Sequence, residues 1–98
     1  MNGMIFEWDE AKDVANQRKH GLSFDDALRV FNDPLRLTRQ DRIENGEARW
    51  QTIGMMGRYR IILVAHSFWD DNDNEIIRII SARPVTRHER RDYENQID

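Results

Sequence analysis

The segment E-I-I-R-I-I-S-A-R-P-V-T-R-H-E-R-R-D-Y-E, from Glu75 to Glu94, decides the fold. It reads as one strand, a break at Pro84 and one helix. Ile76, Ile77, Ile79 and Ile80 are β-branched and suit a pleat. With apolar residues on both sides, this strand is expected at the centre of a sheet and covered on both faces. Arg78 and Arg83 interrupt it; five residues apart, they fall on opposite faces of a regular strand. Thr86 and Glu89 have capping-box spacing and open the helix. Arg87, Arg90, Arg91 and Tyr93 follow within two turns. A strand-end arginine beside a basic, tyrosine-bearing helix suits a polyanion. Equally, these arginines can be solvated or paired with Glu89, Asp92 and Glu94.

Upstream, Ile5-Phe6-Glu7-Trp8 is a short first strand. Asp9 is placed to cap a helix whose stripe is Ala11, Val14, Ala15 and Arg18, and Gly21 sits where a left-handed residue ends it. Ser23 caps a second helix carrying Phe24, Ala27, Leu28 and Phe31, and Pro34 stops it. From Leu35 the period changes to two. Asn45-Gly46 signals a type I′ hairpin turn. Folding there pairs Ile43 with Ala48 and sets Arg42 opposite Arg49, which demands an acid such as Glu44 or Glu47, or an anion, between them. Trp50–Gly54 continues the third strand, and Arg58–Phe68 makes a fourth around Ile61–Ala65. The order is β-α-α-β-β-β-β-α. Hairpin links imply an antiparallel sheet in an α+β fold, with two N-terminal helices and one C-terminal helix.

The chain of 98 residues fits a single domain over 1–98 with a modest core. It has no cysteine, so disulfides and thiolate metal sites are excluded. Its three histidines lack metal-ligand spacing, so neither a metal site nor a cofactor is expected. The N-terminus is no signal peptide and the longest apolar run is too short for a bilayer, so a cytoplasmic domain without a membrane partner is expected. Net charge is −3, with an uneven distribution. Residues 1–34 hold seven acids against four bases; residues 35–64 hold six arginines against three acids. Thirteen of the fifteen bases are arginine, whose rigid fork suits phosphate. One basic face on an acidic protein is expected.

Lys19-His20-Gly21 closes the first helix, where cations complement the macrodipole and a histidine also offers a proton carrier. Trp8, Trp50 and Trp69 are available for stacking on bases or for packing. Together, F-x-W-D-x-x-K (Phe6–Lys12), N-x-x-K-H-G-L-S-F-x-x-A (Asn16–Ala27), V-F-x-D-P (Val30–Pro34), G-E-x-R (Gly46–Arg49) and I-R-I-I-S-A-R with E-R-x-x-Y (Ile77–Arg83, Glu89–Tyr93) resemble the BrnT family, toxins of bacterial type II toxin–antitoxin systems. The resemblance implies a RelE-like fold and a small metal-independent ribonuclease that halts translation. It also implies a BrnA-like ribbon-helix-helix antitoxin, with operator DNA bound only through that partner. Carried onto this chain, it makes Arg83, Arg60 and Arg78 candidate phosphate clamps. Lys19, His20 and Tyr93 become candidates for charge stabilisation and proton transfer, with Glu47 and His66 as reserve bases and Arg49 and Arg90 as further RNA contacts. A non-catalytic RNA- or protein-binding module with an arginine-lined sheet is the competing reading.

Overall fold

The computed structural model describes residues 3–96. Strand β1 (Gly3–Glu7) leads into helix α1 (Glu10–His20), then α2 (Phe24–Ala27) and a 3₁₀ helix (Leu28–Asn32). Four strands follow, β2 (Leu37–Glu44), β3 (Glu47–Met56), β4 (Arg60–Asp71) and β5 (Asn74–Pro84), before helix α3 (Arg87–Asn95). The sheet order is β1-β5-β4-β3-β2. Strands β2 to β5 pair antiparallel, as hairpin links require. β1 instead runs parallel to β5, so the sheet is mixed. The reason is topological: α1 and α2 separate β1 from the hairpins and return it to the sheet as a crossover, for which parallel pairing is allowed.

Local signals act as read. Asp9 accepts from the Ala11 amide at 2.8 Å, and Gly21 adopts φ 69° at the end of α1. Asn45 and Gly46 take positive φ, 53° and 78°, and Ile43 pairs with Ala48. Thr86 and Glu89 form the full capping box. The second helix departs from expectation: after one α turn it tightens to 3₁₀. Phe24, Ala27, Val30 and Phe31 still reach the core. This tight segment lies directly on β3, where a Cβ on Gly54 would stand 2.9 Å from Val30 Cγ1 and 3.1 Å from its carbonyl oxygen.

The stripe expected on α1 is not its buried face. Val14 is 46% exposed, and the buried residue of α1 is Asn16, at 6%. Beyond Arg78, β5 has no strand on its outer edge. Asn16 takes that place: its amide donates to the Ala82 carbonyl at 2.9 Å and its oxygen accepts from the Ala82 N–H at 3.1 Å. Its second N–H reaches the Leu22 carbonyl at 2.9 Å, tying the α1–α2 turn to the sheet. Helix α1 therefore runs along the sheet's edge, while α2 and the 3₁₀ helix cover one face, here the inner face. Leu22, Phe24, Val30, Phe31, Ile62, Val64, Ile77, Ile79 and Ala82 form that core. On the outer face α3 packs through Tyr93 onto Ile53, Ile61 and Leu63.

The inner-face positions Ile77, Ile79 and Ala82 break strict alternation because Ile80 is an extra residue: Ser81 pairs with Ala65 and Ile79 with His66. This bulge reverses the parity expected for a regular strand. Arg78 and Arg83 thus share the outer face, a correction to the reading of five-residue spacing. We expect Asn16→Ala to cost about 2–4 kcal/mol, since each buried backbone group left unpaired costs ~1–3 kcal/mol. Urea denaturation of the two proteins measures the difference.

Candidate active site on the outer sheet face

Between α3 and the β2–β3 hairpin the outer face is left bare. Its floor is made of small residues, Ala65 on β4 and Ser81 on β5, which pair with each other. Lys12, Asp41, Arg42, Glu44, Arg49 and Ile80 complete a groove of about 280 Å³. The register shifts between Gln40 and Ile43, so Asp41 and Arg42 together stand across from Arg49 and the direct Arg42–Arg49 pair expected from the turn does not form. Glu44 still lies near both arginines, 3.2 Å from Arg42 Nη2 and 3.8 Å from Arg49 Nε. Arg49 also meets Glu47 at 3.2 Å and its side chain is only 22% exposed.

Arg83 stands two residues past Ser81 on the same face. Its two terminal nitrogens donate to the two carboxylate oxygens of Glu89 at 2.8 and 2.9 Å, and Nη1 also donates to the Pro84 carbonyl at 3.2 Å. Three of five N–H bonds are therefore used. The Nε–H and the remaining Nη2–H lie side by side on the other edge of the planar group, a second fork shaped for carboxylate or phosphate oxygens. Glu89 raises the Arg83 pKa, against burial, with Asp41 adding to the effect from the groove. In return the Arg83 hydrogen bonds pull the Glu89 carboxyl down to about 2. Glu89 also accepts from the Thr86 N–H at 2.9 Å, so one carboxylate both caps α3 and aims the arginine.

The other candidates are dispersed. Arg78 pairs with Glu7 at 2.8 Å, lies over the Trp69 ring and shares with Lys12 a wider, mixed-charge concavity of about 500 Å³. Arg60 and Arg90 line a separate cleft of about 210 Å³ with Tyr59, Pro84 and Val85. Lys19 and His20 lie one turn beyond Asn16, towards the Pro84 end of β5. Tyr93 is buried, and its hydroxyl donates to Asp33. Burial, with Asp33 adding to it, pushes the phenol up to about 12, so its proton is held for structure. Burial opposes ionisation of Asp33, but hydrogen bonds from Tyr93, Met55 and Leu35 prevail and lower its pKa. His66 sits on the inner face, 2% exposed, with Nε2 at 2.7 Å from the Thr52 hydroxyl. Burial holds it neutral, with a pKa near about 4, and it does not face the groove.

Lys12, Asp41 and Ser81 line the groove without having been singled out from sequence, whereas Arg42 is singled out there as the arginine expected opposite Arg49. Lys12 closes the F-x-W-D-x-x-K motif and Ser81 lies within I-R-I-I-S-A-R, so their signal was present as motif membership alone. Asp33 and Asn16, also motif residues, serve the fold. Among the described residues no group of three or more His, Asp or Glu side chains is arranged to hold a metal ion. No helix there is long and apolar enough to cross a membrane.

The family model described as "Ribonuclease toxin, BrnT, of type II toxin-antitoxin system" matches residues 8–89. Among solved structures, the Brucella abortus ribonuclease toxin BrnT is similar, with 25% identity and a TM-score of 0.58 over 89% of this chain and 100% of that one. A search among curated proteins finds no match.

Two acid-sensitive steps in stability follow from the shifted groups. His66 has a folded pKa of about 4 against an ordinary 6.5, so the unfolded state binds the extra proton and stability declines as pH falls through that window. Glu89, with about 2 against an ordinary 4.5, contributes stability above 4.5 that is lost as pH falls towards 2. Urea midpoints measured from pH 7 to 2 should show both steps. Asp33, whose pKa is also lowered, adds to the loss at low pH, so Glu89→Gln should shrink the lower step and His66→Asn should remove the upper.

Proposed function

We propose that this chain, which belongs to the BrnT family of ribonuclease toxins of type II toxin–antitoxin systems, cleaves RNA in the outer-face groove by attack of a ribose 2′-OH on its own phosphate. The observation that carries this reading is Arg83. Its end-on fork is held by Glu89, and its side-on fork is left free two residues along the same face from Ser81 on the groove floor.

RNA cleavage without a protein nucleophile needs positioning, a proton acceptor, a proton donor and cations for the non-bridging oxygens. In this reading Arg49, on the groove wall, and Arg83, beside its floor, hold the phosphate. The 2′ oxygen forms a bond to phosphorus as the bond to the 5′ oxygen breaks, leaving a 2′,3′-cyclic phosphate and a 5′-hydroxyl. Asp41 and Glu44 are the groove's acceptors for the 2′ proton, and the Lys12 ammonium is its donor to the leaving oxygen. Lys19, His20, Arg60 and Arg90, at the Pro84 end of β5, would hold the RNA strand as it leaves the groove. Cleavage of messenger RNA in this way halts translation. Membership of a type II family implies an antitoxin partner, which we take to be of the ribbon-helix-helix type and to supply operator binding.

Isolated protein incubated with RNA in excess EDTA should release fragments ending in cyclic phosphate. Arg83→Ala and Arg49→Ala should each lower the rate roughly 100-fold, the scale of removing one preorganised charge from a developing anion, while melting cooperatively. A folded Arg83→Ala protein that cleaves at the wild-type rate removes Arg83 from the site. EDTA-sensitive cleavage ends the metal-independent mechanism. Specific operator binding by the isolated chain would favour the competing reading, a non-catalytic binding module.

A further inference from the structure

The inner face is not fully covered. Past the 3₁₀ helix, towards the β4–β5 turn, a pocket of about 190 Å³ opens, with Phe31, Trp50, Phe68, Met4 and Ile77 among its walls. Trp50 and Phe68 stack at 4.9 Å between ring centroids. Met4 and Phe68 remain 43% and 37% exposed, a large apolar remainder at one spot on a chain this polar. Most polar groups on the floor pair with one another: Thr38 and Thr52 hydroxyls meet at 2.9 Å, and Thr52 meets neutral His66 Nε2 at 2.7 Å, while the buried His66 Nδ1 has no partner among the described residues. A ligand here is asked mainly for apolar area.

The surroundings select among apolar ligands. Asp70, Asp71 and Asp73 form the adjacent turn and Glu75 lines the pocket itself. None of the four has an ion-pair partner among the described residues. Arg36 also lines the pocket, but the four carboxylates in and beside it outnumber that cation and repel a phosphate backbone, so an RNA base is disfavoured here despite the aromatic walls. They attract a basic polypeptide. The groove proposed for RNA opens on the other side of the sheet, so both sites can be occupied at once. Resting on the toxin reading, we propose that this pocket is a docking site for the antitoxin, which inserts one large apolar side chain between Trp50, Phe68 and Met4. Lysine or arginine residues flanking that anchor lie along Asp70, Asp71, Asp73 and Glu75. Apolar burial sets the lifetime of the complex, and the acidic turn steers its formation.

The test uses the full chain and the antitoxin encoded beside it, with binding followed by calorimetry and RNA cleavage assayed on the free toxin. Met4→Glu places a charge at the pocket rim and Phe68→Glu at its wall; Asp70→Lys with Asp73→Lys reverses the turn. The first two should raise Kd roughly 30-fold, the scale of losing one buried anchor. The double variant should slow association and invert its salt dependence. All three should cleave RNA as the wild type does, which also reports that they fold. Unchanged antitoxin binding by every variant, with wild-type binding intact, overturns the docking site and leaves the toxin reading standing. Loss of RNA cleavage with antitoxin binding retained assigns the pocket to RNA and overturns it equally. If the wild-type chain binds no product of the neighbouring gene, both readings fall together.

Discussion

The structure depends on a side-chain amide standing in for a strand. β1 is too short to cover the whole edge of β5, and a half-open edge beside the core would leave the Ala82 N–H and C=O unpaired. Asn16 bonds both and the Leu22 carbonyl as well. Few side chains can do this: the task needs two donors and an acceptor on one planar group, reached from a helix. The result is that α1 lies beside the sheet and leaves the outer face free. Lys12, one turn earlier, then overhangs the groove, and Lys19 and His20, one turn later, pass the end of β5. Asp33 plays the matching part on the other side, accepting from Leu35, Met55 and Tyr93 and so joining the 3₁₀ segment, β3 and α3.

Within that frame the arginines are both paired and available. A guanidinium carries five donors, and a carboxylate that takes two of them fixes its plane without exhausting it. Glu89 does this for Arg83; Arg49 is held less completely, by one bond to Glu47 with Glu44 3.8 Å from its Nε. The pairs therefore do not compete with an anion-binding role; they prepare it, because an arginine already held in place loses less entropy when a phosphate arrives. A net charge of −3 is compatible with this surface because the charges are unevenly spread. In the outer groove Lys12, Arg42 and Arg49 outnumber Asp41 and Glu44, while Glu47 and Glu89 pair with arginines beside it. Acids without an ion pair among the described residues gather on the β4–β5 turn, beside the inner pocket. One thin sheet thus separates a polar, mixed-charge groove from an apolar pocket with an acidic border.

Much of this was legible in the linear sequence, because its signals are local. Caps at Asp9, Ser23 and Thr86, the left-handed Gly21 and the Asn45-Gly46 turn act within a few residues of themselves. Alternation and β-branching marked the strands, and charge geometry across one hairpin turn called for an acid or an anion between Arg42 and Arg49. The motifs pointed to the family through their order. What could not be read were facts about residues distant in sequence. Nothing near Ile80 announces a bulge, since a bulge is a mismatch between two strands. That one residue moves Arg78 and Arg83 onto a common face. Nothing near Asn16 distinguishes a solvated asparagine from one bonded 66 residues away.

The same division runs through the candidate site. Residue type and family pattern alone made arginines the candidates to hold an anion, with Arg83, Arg60 and Arg78 as clamps and Arg49 as a further contact, because a strand-end or hairpin arginine is readable from its neighbours. Only the tertiary structure decided that Tyr93 spends its hydroxyl on Asp33, that His66 is buried on the opposite face, and that Lys12 and Asp41 line one groove. The physical reason is one of range. Propensity, capping and turn chemistry are settled by contacts a few residues long, whereas burial, proton affinity and convergence on a site depend on which strands lie side by side. That choice belongs to the whole chain.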